Sequence, residues 1–177
     1  MKYAALVFAC APLFAFAQSS NTITFTGEVA QSTCNVTING SSGASIIRLP
    51  SQGKNEFIVT GTTAGWTKFD MALSGCTTSN SNFSTKFTPG QVSDGKNIKN
   101  TASSNNVHLQ LTQVSSAGDK GPPITFTSGP VTVSGGVFTG SVGSKSGAVS
   151  YGVQYISEGI ASAGKVAGTA TYSFVYN

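Results

Sequence analysis

Few side chains of this sequence could take part in catalysis or in metal binding. The 177 residues include one histidine, His108, together with three cysteines and six carboxylates. A zinc or copper site needs several histidine or cysteine ligands, and a serine hydrolase needs a base beside its nucleophile. The segment 118–121 lacks the spacing and the strand–helix setting of a phosphate-binding loop. No local pattern pairs the dispersed carboxylates, which include Glu28, Asp70, Asp94, Asp119 and Glu158. The sequence therefore predicts no enzyme, no metal site and no cofactor.

The N terminus has the pattern of a secretory signal peptide. Lys2 precedes an apolar stretch of roughly 14 residues that ends in the small-residue pattern Ala15-Phe-Ala17. A membrane-spanning helix would need about 20 apolar residues. We predict cleavage between Ala17 and Gln18, which leaves one domain. A lipoprotein signal at Cys10 is the alternative, and it is disfavoured because the apolar run continues well past that cysteine.

Two cysteines remain after this cleavage, Cys34 and Cys76. Disulfides form and persist in exported proteins, and an even number of cysteines in such a chain favours pairing. We therefore predict one disulfide between them, which would constrain the unfolded chain and stabilise the domain.

The charge pattern excludes a nucleic-acid-binding role. Only 9% of the residues are charged, the net charge is +4, and the lysines are scattered rather than clustered. No segment after the signal peptide is long and apolar enough to span a membrane. A surface dominated by Gly, Ser, Thr and Asn suits an extracellular β protein and is compatible with assembly.

The mature sequence has the pattern of an all-β protein. Polar and apolar residues alternate with a period of two, and Gly, Asn, Ser and Pro interrupt the chain at short intervals. The clearest strands are predicted at 23–26, 69–73, 107–111 and 153–155. Weaker strands are predicted at 46–49, 83–88, 124–127, 131–133 and 137–142, and loops at 77–82, 93–106 and 115–121. In the strand 107–111 the alternation places His108 opposite the apolar side chains, so we expect it to face solvent and to have a structural role.

The two ends of the mature chain carry the most informative strands. Four residues within the segment 18–30 share one alternating register: Ile23, Phe25, Gly27 and Val29. The last strand places three aromatic residues on one face before the final Asn177: Tyr172, Phe174 and Tyr176. An apolar strand at an open sheet edge is an aggregation liability. A spare strand lent by a neighbouring copy is one physically sensible way to cover it.

These features together resemble the pilins of the bacterial chaperone–usher class, particularly the major subunits of type 1 and related fimbriae. The resemblance rests on the order of the segments 23–29, 34–36, 69–76 and 168–176, and the stretch from about 80 to 147 matches only loosely. It implies an incomplete immunoglobulin-like sandwich that lacks its seventh strand, with a groove beside the last strand. It also implies a division into a signal peptide at 1–17, a donor-strand extension at 18–30 and a pilin domain at 31–177.

The resemblance further implies how such subunits join. The N-terminal extension of the next subunit would run antiparallel to the last strand, and alternate side chains from Ile23 to Val29 would enter pockets along the groove. Gly27 would occupy a pocket with no room for a larger side chain, although a strand glycine also commonly marks a bulge. The groove along Tyr172, Phe174 and Tyr176 would be completed by donor-strand exchange.

The partners implied by the resemblance are other copies of the chain, a periplasmic chaperone, an outer-membrane usher, and tip adhesin or adaptor subunits. The chaperone would dock on the edge from Tyr172 to Tyr176 and would hold the Asn177 carboxylate with basic residues. The chain would pass through the periplasm into a fimbria on the cell surface that supports adhesion. A single domain favours a major shaft subunit over a two-domain tip adhesin.

The alternative from another class is a monomeric secreted carbohydrate-binding module. Aromatic side chains on β-sandwiches can form a platform for sugars, and Trp66, Tyr151 and Tyr155 are the candidates here. Their neighbours in sequence favour packing within strands. A stable monomer that does not respond to a peptide spanning 18–30 would support this alternative.

Overall fold

The computed structural model describes residues 22–27, for which it gives the course of the backbone, and residues 34–103, 105–127 and 129–177. The predicted signal peptide 1–17, its cleavage site between Ala17 and Gln18, and Val29 lie outside the described residues. Eleven strands and one short 3-10 helix are present in the described part of the chain. The strands are β1 (Thr22–Gly27), β2 (Asn35–Ile38), β3 (Ser41–Ser42), β4 (Ser45–Arg48), β5 (Thr63–Cys76), β6 (Asn82–Pro89), β7 (Val107–Val114), β8 (Lys120–Ile124), β9 (Val131–Thr139), β10 (Lys145–Ser157) and β11 (Ala167–Tyr176). The short helix covers Lys54–Phe57. The prediction of an all-β fold is confirmed.

The strands form two layers that are joined at one side. The first layer has the order β3-β2-β5-β10, and β7 and β8 continue it beyond β10. The second layer has the order β9-β6-β11-β1-β4. The end of β9 also pairs with the start of β10, so that the two layers are continuous and curl around the core.

The first long segment of the domain changes from one layer to the other. β2 pairs with β5 in the first layer, whereas β4 lies at the edge of the second layer. Between them, Asn39 and Gly40 have positive φ angles of 49° and 80° and form the two-residue turn of the β2–β3 hairpin. This is the Asn-Gly sequence that such tight hairpins favour. The change of layer places β4 in the same layer as the last strand, β11.

The core lies between the layers and has two parts. The larger part packs aromatic and aliphatic side chains from both layers, including Phe69, Phe87, Leu109 and Tyr151. The smaller part surrounds the cysteines and comprises Cys34, Leu73, Cys76, Phe83 and Phe138. The inward residues alternate along β5 and β7, as their sequences predict.

Three of the weaker strand predictions are wrong in detail. Residues 131–133 and 137–142 were expected as separate strands, but β9 runs through Gly135, which has a φ of 132° and is the extra residue of a β-bulge opposite Phe83 and Ser84. β8 occupies Lys120–Ile124 rather than 124–127. Its two prolines are tolerated because in the described structure β8 pairs only with β7, at a sheet edge.

Candidate strand-accepting groove

The groove lies between the last strand and β4. On one side, β11 forms an antiparallel ladder with β6 over residues 170–176. Its other edge faces β4, and the two strands are too far apart to pair directly because a further strand, β1, lies between them. Without that strand, both edges would present unpaired backbone N–H and C=O groups. The architecture is therefore a sheet with one missing central strand and a segment that fills the gap.

Small and aromatic residues line the inward face of β11. Gly168, Ala170 and Tyr172 are buried, and Phe174 and Tyr176 are half-buried. Burial raises the pKa of the Tyr172 phenol, which keeps this side chain neutral over the physiological range. On the opposite wall, Ser45 and Ile47 of β4 are buried while the intervening Ile46 is exposed. The floor of the groove is thus apolar, and it is continuous with the core.

β1 fills the Ala170 part of this groove in a defined register. Ile23 is in register with Gly168 on one side and with Ile47 on the other. The next two positions of the same alternation, Phe25 and Gly27, are in register with Ala170 and Tyr172. The two large apolar residues therefore stand beside a glycine and an alanine of β11, and Gly27 stands beside a tyrosine.

The direction of β1 differs from the direction that the resemblance implies for a neighbouring copy. β1 runs parallel to β11, from Ala167 towards Tyr172. A parallel strand leaves the groove towards Tyr176, where the hydroxyl of that residue donates a hydrogen bond of 3.5 Å to the Cys34 sulfur. Because Cys34 is the next described residue of the chain, parallel is the direction that a segment from the same chain can adopt over a short connection. Antiparallel pairing concerns a second copy and stays a prediction.

The far end of the groove is held together by aromatic rings and by the disulfide. The Cys34–Cys76 bond is formed, as the sequence predicts. The Phe83 ring packs edge-on against Phe174 with 5.6 Å between the ring centroids, and Phe138 packs against Tyr176 at 5.8 Å. This cluster holds the end of β11 from Phe174 to Tyr176, a part of the strand that does not pair with β1.

Asn177 continues the pairing of the last strand. Its backbone N–H donates to the carbonyl of Asn82 at 2.9 Å and its carbonyl accepts from the Asn82 N–H at 3.1 Å. Its side-chain amide donates to Ser84 Oγ at 2.8 Å. The terminal residue is therefore fixed to β6, and its position relative to Tyr176 is defined.

His108 belongs to a polar network that sequence reasoning missed. The prediction that it faces solvent is wrong, because it is half-buried and its Nδ1 accepts a hydrogen bond of 3.0 Å from the Asn100 N–H. Its Nε2 lies 3.7 Å from Glu158 Oε2. No local signal could have found this pair, since the two residues lie on different strands or loops far apart in sequence. A structural role for His108 nevertheless fits these contacts.

The same carboxylate fastens the loop that follows β6. Glu158 accepts hydrogen bonds from Ser93 Oγ at 2.5 Å, Asn97 Nδ2 at 2.8 Å and the Gly95 N–H at 2.9 Å. Partial burial raises the pKa of this carboxyl group, but these hydrogen bonds and the proximity of His108 outweigh burial, and the pKa is lowered overall. The serine bonds the carboxylate and not the imidazole, so the group is not arranged as a nucleophile with its base.

The aromatic platform required by the carbohydrate-binding alternative is not present. Tyr151 and Tyr155 are buried in the core, 1% and 3% exposed. The indole N–H of Trp66 donates to Thr112 Oγ1 at 3.0 Å, and Trp66 covers Gly152. These aromatic residues pack between strands, as their sequence neighbours indicate.

The described residues contain no cluster of three or more His, Cys, Asp or Glu side chains that could hold a metal ion. Within the same residues no helix is long and apolar enough to cross a membrane.

Two curated proteins with fimbrial names resemble this chain along most of its length. The F17 fimbrial protein of Escherichia coli is 29% identical over 160 residues, which cover 87% of this chain and 86% of that protein. The major fimbrial subunit SMF-1 of Stenotrophomonas maltophilia (strain K279a) is 33% identical over 176 residues, which cover 96% of this chain and 99% of that protein. No family model matches the chain.

A solved structure shows the same fold. A chaperone–usher pilus structure superposes with a TM-score of 0.53 at 16% identity, over 94% of this chain and 100% of that one. This likeness agrees with an incomplete immunoglobulin-like fold. With a relative that is one-third identical along nearly the whole length, a formed disulfide, and a β1 strand placed between β4 and the last strand, the chain belongs to the fimbrial subunits.

Proposed function

We propose that this chain is a structural shaft subunit that polymerises by placing its segment 18–30 in the groove of a neighbouring copy, antiparallel to β11. The observation that supports this most is the gap between β4 and β11, which accepts the chain's own segment in register. Ile23, Phe25, Gly27 and Val29 are the residues that would face the groove.

The direction of the inserted strand decides what kind of assembly forms. A parallel strand leaves the groove at the Tyr176 end, and Cys34 of the donating copy must then lie at that same end. Two copies that exchange parallel strands would therefore contact each other through the same end of each molecule. Such a contact is isologous, and it forms a closed dimer. An antiparallel strand leaves at the Ala167 end. The contact is then head to tail, and it can repeat without limit.

The length of the chain also supports a second copy as the donor of an antiparallel strand. With Ile23 opposite Tyr176, Val29 would lie opposite Ala170, about 20 Å from Tyr176 at the rise of a β-strand. The chain from Val29 to Cys34 spans at most about 18 Å when fully extended, and it would also have to reverse its direction. In this register the short connection to Cys34 therefore favours a neighbour over the same chain as the donor of an antiparallel strand.

Burial of apolar side chains and backbone pairing would both stabilise such a contact. Full burial of the three apolar side chains at 23, 25 and 29 contributes roughly 1.5–3 kcal/mol each. The backbone hydrogen bonds to β4 and β11 add to this, because each strand edge is otherwise unpaired. The expected consequence is slow dissociation of neighbouring subunits.

The remaining expectations concern export and partners. Before polymerisation the groove needs a cover, and a periplasmic chaperone that docks along Tyr172 to Tyr176 and holds the Asn177 carboxylate would supply one. An outer-membrane usher and tip or adaptor subunits complete the set of partners, and the fimbria would stand on the cell surface and support adhesion. None of these roles requires enzymatic chemistry from this chain.

The direct test compares the mature chain with a variant that lacks residues 18–30. We expect the mature chain to form polymers that survive in SDS without heating, and the deletion variant to form none and to gain stability from a peptide spanning 18–30. A nitroxide at position 18 of that peptide distinguishes the two directions by NMR. Broadening at Tyr176 and Asn177 supports the antiparallel direction, whereas broadening at Ala167 and Gly168 contradicts it.

A further inference from the structure

Three large apolar side chains are exposed together at one end of the sandwich. Ile58 is 65% exposed, Val59 is 62% exposed and Ile160 is 76% exposed. They belong to two neighbouring loops, which are joined where the Ala161 N–H donates to the Phe57 carbonyl at 3.2 Å. We call Ile58, Val59 and Ile160 the end patch. Exposed apolar groups that cluster in this way commonly mark an interaction site.

The loops that carry the end patch are firmly attached to the sheets. Ser157 Oγ donates to the Val59 carbonyl at 2.5 Å, and the Ser157 N–H donates to the Thr62 carbonyl at 3.0 Å. The Asn106 side-chain amide donates to the Ile160 carbonyl at 3.0 Å. The patch therefore lies on rigid loops, which lowers the entropic cost of binding a partner.

The end patch lies at the Ala167 end of the groove. Ser157 at the end of β10 is in register with Val107, and the loop that contains Ile160 leads directly into β11. An antiparallel donor strand leaves the groove at this same end. From this geometry we propose that the end patch is the docking surface for the body of the neighbouring copy that donates the strand. This inference rests on the proposed function.

The opposite end of the molecule offers a matching surface. Val142, 63% exposed, lies in the turn between β9 and β10. Three residues later, Lys145 is in register with Cys76, the disulfide partner of Cys34, so that this turn lies beside the point where a donor strand leaves its own domain. The Lys145 ammonium group donates to the Ser79 and Asn80 carbonyls and fixes the adjacent loop.

The two ends also lack charge where they would meet. The segments 57–62, 159–164, 77–81 and 140–144 contain no Asp, Glu, Lys or Arg. Charged residues are depleted at the centre of protein interfaces. A head-to-tail contact through these segments would thus bring apolar and neutral polar groups together. The nearest charged residues in sequence are Lys54, Glu56, Glu158 and Lys165 beside the end patch and Lys145 beside the turn between β9 and β10.

The test uses the full mature chain and measures how fast its polymers dissociate in SDS at raised temperature. The patch variants are Ile160→Ser and the double variant I58S/V59S. The matched control is Ile46→Ser, because Ile46 is also an exposed isoleucine, at 52%, but lies on the outer face of β4. We expect all variants to fold with unchanged circular dichroism, and the patch variants to dissociate about tenfold faster than the control.

A second measurement locates the contact directly. A benzoylphenylalanine at position 160 should crosslink to 77–81 or 140–144 of the next copy when polymers are irradiated. The inference is overturned by patch variants that dissociate at the control rate, or by polymers that give no crosslink to these segments. If polymers do not depend on residues 18–30 at all, the proposed function fails. The argument that a strand-donating copy docks on the end patch then fails with it.

Discussion

Gly27 pairs with Tyr172 at the last position of the ladder between β1 and β11. Tyr172 is buried and its ring packs against Phe174, with 5.7 Å between the centroids. A tyrosine ring covers far more surface than the glycine or alanine found at positions 168 and 170. Within the part of β11 that β1 covers, a partner strand therefore meets the least free space at this point, and a residue without a side chain is the one that suits it.

Replacing Gly27 with Leu should block polymerisation or slow it at least about fivefold, because overpacking a filled site costs about 1–3 kcal/mol. The measurement is the ladder of SDS-resistant polymers formed by the purified mature chain over time. Thr26→Leu is the matched control, since Thr26 is in register with Thr171 on the other side of the alternation. Equal rates for the two variants would show that Gly27 has no special place in the groove.

The alternation of polar and apolar residues predicts which segments are strands far better than it predicts which residues contact those strands in the folded chain. β5, β7 and β11 follow directly from a period of two, and so does the shared face of Tyr172, Phe174 and Tyr176. The pairing of His108 with Glu158 could not be predicted, because alternation assigns a face but not the loop that covers it. The run of β9 through Gly135 was missed for a related reason, since a glycine signals a break and a bulge equally well.

For the groove too, one feature can be predicted from the sequence and another cannot. The register of Ile23, Phe25 and Gly27 is visible in the residues themselves. The direction of the strand is not, because side chains alternate identically in parallel and antiparallel strands. Only the position of Cys34 beside Tyr176 shows why the segment of the same chain runs parallel.

Removing the disulfide should lower the stability of the domain. Cys34 and Cys76 are 42 residues apart, and a loop of this size constrains the unfolded chain by roughly 4 kcal/mol on the chain-closure model. The double variant C34A/C76A should therefore unfold at a clearly lower urea concentration, with a loss of about 2–4 kcal/mol. Reduction of the unmodified chain is the second route to the same state. An unchanged urea midpoint in both cases would contradict a stabilising role.

The Glu158 network should make the stability of the domain depend on pH. The pKa of this carboxyl group is lowered in the folded chain, so the folded state binds the proton more weakly than the unfolded state. The stability from the ionised group is present above the unfolded pKa and is lost as the pH falls through the folded one, in the range below about pH 4 to 5.

Glu158→Gln removes this carboxylate while it keeps the size of the side chain. We expect it to cost about 1.5–3 kcal/mol at neutral pH, the range for hydrogen bonds to a charged group, and to flatten the fall of stability in acid. Urea unfolding between pH 3 and 7 measures both effects. Asp119→Asn is the control, because no hydrogen bond to its side chain is present in the described structure. If the free energy of unfolding of E158Q falls with decreasing pH as steeply as that of the unmodified chain, the Glu158 network does not contribute to acid sensitivity.

Gly136 lies against the Phe83 ring, and a methyl group at this position would overlap that ring. The ring has nowhere to move, because it is fully buried and packs against Phe138 at 4.8 Å and against Phe174 at 5.6 Å. Gly136→Ala should therefore cost about 1–3 kcal/mol of stability. It should also loosen the end of β11, since Phe83 is in register with Tyr176.

The matched control for this change is Gly53→Ala. Gly53 has an extended backbone, with φ of −73° and ψ of 137°, and an added methyl group would approach only Glu56 Oε1, at 3.8 Å. Replacing such a glycine restricts the unfolded chain and should be neutral or stabilising by about 0.4–1 kcal/mol. Hydrogen exchange at Phe174 and Tyr176 separates a local effect from a global one. If G136A protects these amides as well as the unmodified chain does, the Phe83 cluster does not hold the last strand.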